Sequence, residues 1–137
     1  MVAVEDFMEI AAFRAHLRSF LRHNEKTCRA WGLTPQRYLL LLAIKGAPDG
    51  SERLSLTDAA ERLQLSRNTV TELCDRAESA GLVRREPSTT DQRVVYLRVT
   101  AEGERRLAGV VAASDGSREE LLRSFEKLAD AVRSGAR

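Results

Sequence analysis

The stretch that most limits the fold is SLTDAAERLQLSRNTVTELCDRAESAG, residues 55–81. Two helix-length segments lie here with only the connector QLS between them. In the first, Ser55 with Asp58 three places on forms a capping-box-like pattern, and Leu56, Ala59, Ala60 and Leu63 fall on one face. In the second, Ser66 stands at the cap, and Val70, Leu73, Cys74 and Ala77 occupy i, i+3, i+4 and i+7, a single apolar stripe. Gly81 ends it. Two helices with one narrow apolar face each, joined by so short a link, are a helix-turn-helix.

The segment that follows, REPSTTDQRVVYLRV, reads as a hairpin. Strand-like Leu82-Val83 and Val94 to Val99 bracket the polar loop PSTTDQR, and Val95, Leu97 and Val99 alternate onto one face. A helix-turn-helix followed at once by a hairpin is a winged helix. Upstream, residues 4–30 form one long helix, with Phe7, Ile10, Ala11, Leu17, Phe20 and Leu21 at spacings of three and four. Gly32 breaks it, Thr34 caps the next helix and Pro35 takes its first turn. Leu39 to Leu42 with Ile44 are apolar most of the way round, which predicts a helix central to the core. Arg53-Leu54 form a small strand after the loop GAPDGSER. Downstream, Thr100 opens a helix to about Ala113, SDGSREE interrupts it with a Ser117–Glu120 capping box, and a last helix carries Leu121, Leu122, Phe125, Leu128, Ala129 and Val132. The tail RSGAR is expected to fray. The expected fold is mainly α, a winged helix-turn-helix in the order α-α-β-α-α-β-β-α-α, within a single domain over 1–137.

Composition narrows the function by exclusion. Aromatic residues are only 5% of the chain, too few for a surface that stacks single-stranded bases. No apolar run approaches the roughly 18 residues of a membrane span. The acidic start MVAVEDFMEI lacks the basic region of a signal peptide, and Cys28 and Cys74 form no CxxC. A reduced, cytoplasmic setting fits. Net charge is +2, and residues 51–100 hold eight arginines against eight acids, so charge alone does not announce a nucleic-acid partner. Placement has to do so.

Opposite the buried stripe of the second short helix, helical geometry turns Asn68, Glu72 and Asp75 outward, with Arg67 and Thr71 on a flank. Such a helix can enter a major groove, where base edges carry a full donor and acceptor code. Ser66 and the first-turn amides suit a phosphate, because unpaired N–H groups there favour an anion, and Thr69 is counted with the DNA-binding recognition helix. At the hairpin, Arg93 is placed for the neighbouring minor groove, and Asp91 can hold it pointed beforehand. Arg84, Arg85 and Arg98 are assigned to nearby phosphates, while Asp58, Glu61 and Glu78 face away. Taken alone, Asp91-x-Arg93 also fits a solvated turn with an ion pair of little worth.

GLTPQRYLLLLAIKG, LSLTDAAERLQLSRNTVTELCDRAESAGLVRRE and STTDQRVVYLRVTAEGERRL resemble the multiple-antibiotic-resistance regulator (MarR) family of bacterial transcription factors. The resemblance is close over Gly32 to Leu107. It implies a homodimer clasped through the first and last helices, 1–32 and 101–137, with a DNA-binding lobe over 33–100. It further implies double-stranded DNA as partner at a pseudo-palindromic operator, repression as the usual outcome, and release by a small aromatic ligand, thiol oxidation or metal. Phe13, His16 and Phe20 lie where family effector pockets often form, a placement that also fits dimer or core packing. The chain departs from the family at Glu72, where many members carry arginine, and in a slightly longer APDGSER.

No cofactor and no metal are expected. His16 and His23 stand seven apart without further ligands at usable spacing. Cys74 falls on the buried stripe as a small core residue, and Cys28 lies near Lys26 and Arg29, which could activate it. No Gly-rich phosphate loop or nucleophile elbow is present, so an enzyme is not expected. The competing reading is a winged helix that binds proteins and not DNA, favoured by the neutrality of residues 51–100 and by Glu72.

Overall fold

The computed structural model describes residues 1–135. Its elements are α1 (Val4–Ala30), α2 (Pro35–Lys45), β1 (Arg53–Ser55), α3 (Leu56–Leu63), α4 (Arg67–Ser79), β2 (Val83–Pro87), β3 (Val95–Val99), α5 (Ala101–Ala113) and α6 (Asp115–Gly135). This is the order the sequence predicts. The chain divides into two compact units, one spanning Cys28–Gly109 and the other made of Met1–Thr27 with the chain from Val110 onward.

In the Cys28–Gly109 unit the helix starts are set by their caps. Thr34 Oγ1 accepts from the Arg37 amide at 3.1 Å, Ser55 Oγ from Asp58 at 3.1 Å and Ser66 Oγ from Thr69 at 3.2 Å. Tyr38, Leu40, Leu41, Ala43 and Ile44 of α2 are buried, but Leu39 and Leu42 are exposed. The helix is central to the core of this unit as its apolar run predicts, with one part of its surface uncovered. Leu39 and Leu42 stand three apart and share a face that is left open. The α4 stripe Val70, Leu73, Cys74 and Ala77 is buried as its spacing requires.

The sheet is antiparallel in the order β1-β3-β2. Leu97 of the central strand sits opposite Leu54 and Arg85 and is fully buried, with Val95 and Val99 half-buried on either side. Strand β2 runs to Pro87, well past the expected Leu82-Val83. Its polar residues Arg84, Arg85 and Glu86 carry no apolar alternation; pairing with β3 makes them a strand. At the junction with α5, Thr100 Oγ1 accepts from the Gly103 amide at 3.0 Å and donates to the Gly81 carbonyl at 2.6 Å. Gly103 has to be glycine: a Cβ there would run into the Leu82 carbonyl oxygen and Val99. Further along α5, Gly109 leaves room for the Trp31 indole, which lies where a Cβ would go. The expectation that α5 begins near Thr100 holds, and Trp31 gains a partner that spacing alone did not suggest.

In the other unit, the Ser117–Glu120 capping box does not form. Only Ser114 separates α5 from α6. Its Oγ donates to the Val110 carbonyl at 2.8 Å and its carbonyl accepts from the Arg118 amide at 2.9 Å, so the helix restarts immediately and Ser117 lies within it. Ser117 Oγ donates back to the Ser114 carbonyl at 3.2 Å. On α1 the half-buried stripe is Phe13, Leu17 and Phe20, while Phe7, Ile10 and Leu21, expected on the apolar face, are exposed. Phe13 meets Phe125 of α6 edge-on, ring centroids 5.9 Å apart. The tail stays helical through Gly135; the rest of the segment expected to fray, Ala136 and Arg137, lies outside the described residues.

Candidate nucleic-acid interface

The exposed face of α4 sorts its polar side chains by what they already hold. Ser66 is occupied as the cap, and its Oγ lies 2.8 Å from Thr69 Oγ1. Arg67 Nη1 donates to Thr57 Oγ1 of α3 at 3.2 Å, tying the two helices at their starts. Thr71 Oγ1 donates to the Arg67 carbonyl at 2.9 Å. Asn68 and Glu72, both exposed, make no side-chain hydrogen bond or ion pair among the described residues. Both are left free to meet a partner, as is the exposed Arg76 further along α4.

Asp75 and Arg85, both read from the sequence as facing DNA, are instead brought to one another. Arg85 Nη2 donates to Asp75 Oδ1 at 2.6 Å and Nη1 to Glu78 Oε1 at 2.7 Å, so one guanidinium joins β2 to two turns of α4. The bond to Asp75 raises the Arg85 pKa further. This bridge fixes the angle between helix and hairpin. The Arg85→Leu protein should lose about 1 kcal/mol of stability by urea denaturation, with Arg85→Lys recovering part, because two carboxylates are left without their fork of donors. Equal stability of all three proteins would show the bridge to be incidental. Cys74, beneath this bridge, has its thiol pushed up to about 11 by burial, which makes it a poor nucleophile and supports its reading as a core residue.

At the hairpin tip, Ser88 Oγ accepts from the amides of Thr90 and Asp91 at 3.2 and 3.1 Å, and the Val94 amide donates to the Asp91 carbonyl at 3.0 Å. Asp91 Oδ1 then accepts from the Arg93 amide at 3.0 Å and from Arg93 Nε at 3.3 Å. These bonds, the backbone one foremost, hold the Asp91 carboxyl below its usual range. Arg93 is thus gripped at its base while its side chain is 91% exposed. Between this tip and the start of α4 lies a groove of about 400 Å³, lined among others by Ser55, Thr57, Arg67, Arg93 and Tyr96.

Arg84 and Arg98 are drawn together with a residue that the sequence pattern did not single out, Glu86. Arg98 Nε lies 2.6 Å and Arg84 Nη1 3.5 Å from Glu86 Oε2, and Arg53 Nη1 lies 3.7 Å from Oε1. The Arg98 bond, first among these interactions, holds the Glu86 carboxyl below its usual range. Arg53 and Glu86 could have been found from strand register, had the length of β2 been legible.

Of the candidate effector residues, Phe13 is engaged with Phe125. His16 Nδ1 donates to the Ala12 carbonyl at 2.8 Å and lies 3.0 Å from Ser124 Oγ. His16 and Phe20 line a cavity of about 130 Å³ with Ser19, His23 and Leu121. That is smaller than the roughly 300 Å³ at which ligand pockets usually begin. Among the described residues no group of three metal-ligating side chains occurs, and no helix is long and apolar enough to cross a membrane.

Comparison with known proteins agrees with this geometry. The sequence model of the MarR family matches residues 31–94. The transcriptional regulator HosA of Escherichia coli is 38% identical over 90 residues, 66% of this chain, and the chain spans 64% of that protein's length. The transcriptional repressor MdtR of Bacillus subtilis is 35% identical over 81 residues, 59% of this chain and 50% of that protein. Among solved structures, Sco3205, a MarR family transcriptional regulator from Streptomyces coelicolor in complex with DNA, superposes with a TM-score of 0.70 at 20% identity, covering 99% of this chain and 88% of that one. Through its winged helix-turn-helix segment, residues 31–94, this chain is similar to the MarR family.

Proposed function

We propose that the protein is a sequence-specific double-stranded DNA-binding transcriptional regulator, a repressor that acts as a homodimer on a pseudo-palindromic operator. The observation that carries this reading is the pairing of two preorganised elements across one groove. The N-terminal half of α4 presents Asn68 and Glu72 unpartnered, and Arg93 stands out from the hairpin on a base fixed by Asp91. Holding the guanidinium beforehand lowers the ordering cost of inserting it into a minor groove. The names of HosA, MdtR and Sco3205 support regulation, repression and DNA binding respectively.

Dimerisation is supported by the unit of α1 and α6. Phe7, Ile10, Leu21, Leu122, Phe125 and Val132 are large apolar side chains exposed on it, more than a solvated helix pair needs. A second copy would cover them, and a dimer meets two half-sites about one duplex turn apart. An aromatic effector bound beside both His16 and Phe20 would require their 130 Å³ cavity to open, whereas the groove of about 350 Å³ that His16 lines with Ala12 and Ser124 is already wide enough.

A salt titration of operator binding tests the central assignment. Arg93→Ala should weaken binding and lower the slope of log K against log salt by about 0.9 for each phosphate no longer neutralised. Unchanged affinity would remove the hairpin from the mechanism. The second reading, a winged helix that binds protein, draws on the eight-to-eight charge balance of residues 51–100 and on Glu72. It predicts no specific complex with the upstream intergenic duplex even at low salt.

A further inference from the structure

Of the three acids on α4, two are already held. Asp75 and Glu78 share the Arg85 guanidinium, at 2.6 and 2.7 Å. Glu72 is exposed and makes no side-chain hydrogen bond or ion pair among the described residues. Asn68 and Arg76, four residues to either side on the same face, are exposed and equally free. Of the side chains three residues away, Thr69 is engaged with Ser66 and Asp75 with Arg85. An unneutralised carboxylate therefore stands in the second turn of the helix that meets the duplex in the proposed function. The helix is anchored on both sides of it. Arg67 ties the start of α4 to Thr57 of α3, and Arg85 ties its later turns to β2. Glu72 is thus held in place relative to α3 and the hairpin before any partner arrives.

A carboxylate only accepts hydrogen bonds. In a major groove it meets base edges that differ in what they offer. Guanine shows N7 and O6, thymine shows O4, and adenine sets N7 beside its N6 amino group, so each presents an acceptor that repels a carboxylate. Cytosine shows its N4 amino group alone. Phosphate oxygens carry the same sign of charge as Glu72, so the backbone offers it no attraction. Attraction to one base and repulsion from the other three act together, which sharpens discrimination beyond what one hydrogen bond supplies. Neither Asn68, with donor and acceptor together, nor Arg76, with donors only, makes the same selection.

We propose that Glu72 is a specificity-determining residue that accepts a hydrogen bond from the N4 amino group of a cytosine in each operator half-site. The proposal rests on the DNA-binding reading and names a base that this reading leaves open.

The test selects duplexes from a randomised library with wild type, Glu72→Ala and Glu72→Gln. Aligned wild-type sequences should carry a C·G pair at one position of each half-site where the Glu72→Ala set shows no preference. Glu72→Gln should favour A·T there, because a side-chain amide pairs with adenine N6 and N7. Affinity is then measured by fluorescence anisotropy, at one salt concentration, for the wild-type sequence and for a duplex with that pair changed to T·A. The change should weaken wild type about tenfold and Glu72→Ala less than about twofold. Glu72→Ala should also bind the T·A duplex more tightly than wild type does, since a repulsion has been removed. Both duplexes weakened alike in Glu72→Ala, a tenfold penalty kept by that variant, or a preference lost at an A·T pair instead overturns the proposal. If the library yields no bound duplex at all, the DNA-binding reading itself fails and the proposal with it, and Glu72 passes to the protein-binding reading.

Discussion

Phe125→Asp is expected to make the protein monomeric by size-exclusion chromatography with light scattering, and to weaken operator binding at least about 100-fold. Phe125 is 54% exposed on α6 and touches Phe13 only at its edge. Much of its apolar surface therefore awaits a partner, and a carboxylate buried in a dimer interface without a counter-ion is strongly unfavourable. The loss in affinity follows from the geometry of two half-sites. Once one lobe of a dimer is bound, the second meets its half-site at an effective concentration in the millimolar range, and a monomer forfeits that advantage. Leu122→Asp, at another exposed position of the same helix, serves as the check against local unfolding. A variant pair that stays dimeric and binds normally would refute the assignment of this face.

Leu97→Ala should lower the free energy of unfolding by about 2–5 kcal/mol, the range for removing a large aliphatic side chain from a core that only partly collapses around the void. Leu97 is 0% exposed at the centre of β3, paired with Leu54 on one side and β2 on the other. Its strand packs against α2 and α3 and is flanked by β1 and β2, so little is free to move into the space. Urea denaturation followed by circular dichroism measures the loss. Leu97→Met, close in volume, should cost less than about 1.5 kcal/mol. Similar midpoints for wild type and Leu97→Ala would mean that β3 is not the keystone of this unit.

Ordering and type of the elements were legible because each is signalled locally. Thr34, Ser55 and Ser66 satisfy amides of their own first turns, and the Val70–Ala77 stripe reports its own periodicity. The grip of Asp91 on Arg93 spans two residues and was legible for the same reason. The Ser117–Glu120 box failed although its pattern is also local, because Ser114 offered the chain a less costly way to restart a helix after one residue.

What the tertiary structure alone decided are the relations between residues far apart in the chain. Arg85 turns to Asp75 and Glu78 and away from the groove. Arg53, Arg84 and Arg98 are in line only because β1 and β2 both pair with β3. Gly103 and Gly109 are required by the Leu82 carbonyl and by Trp31, neither of them close in sequence. A one-dimensional pattern encodes which face of an element is apolar, since that depends on neighbours three or four residues away. The partner of a long, flexible guanidinium depends instead on strand register and helix crossing, which exist only once the core has packed.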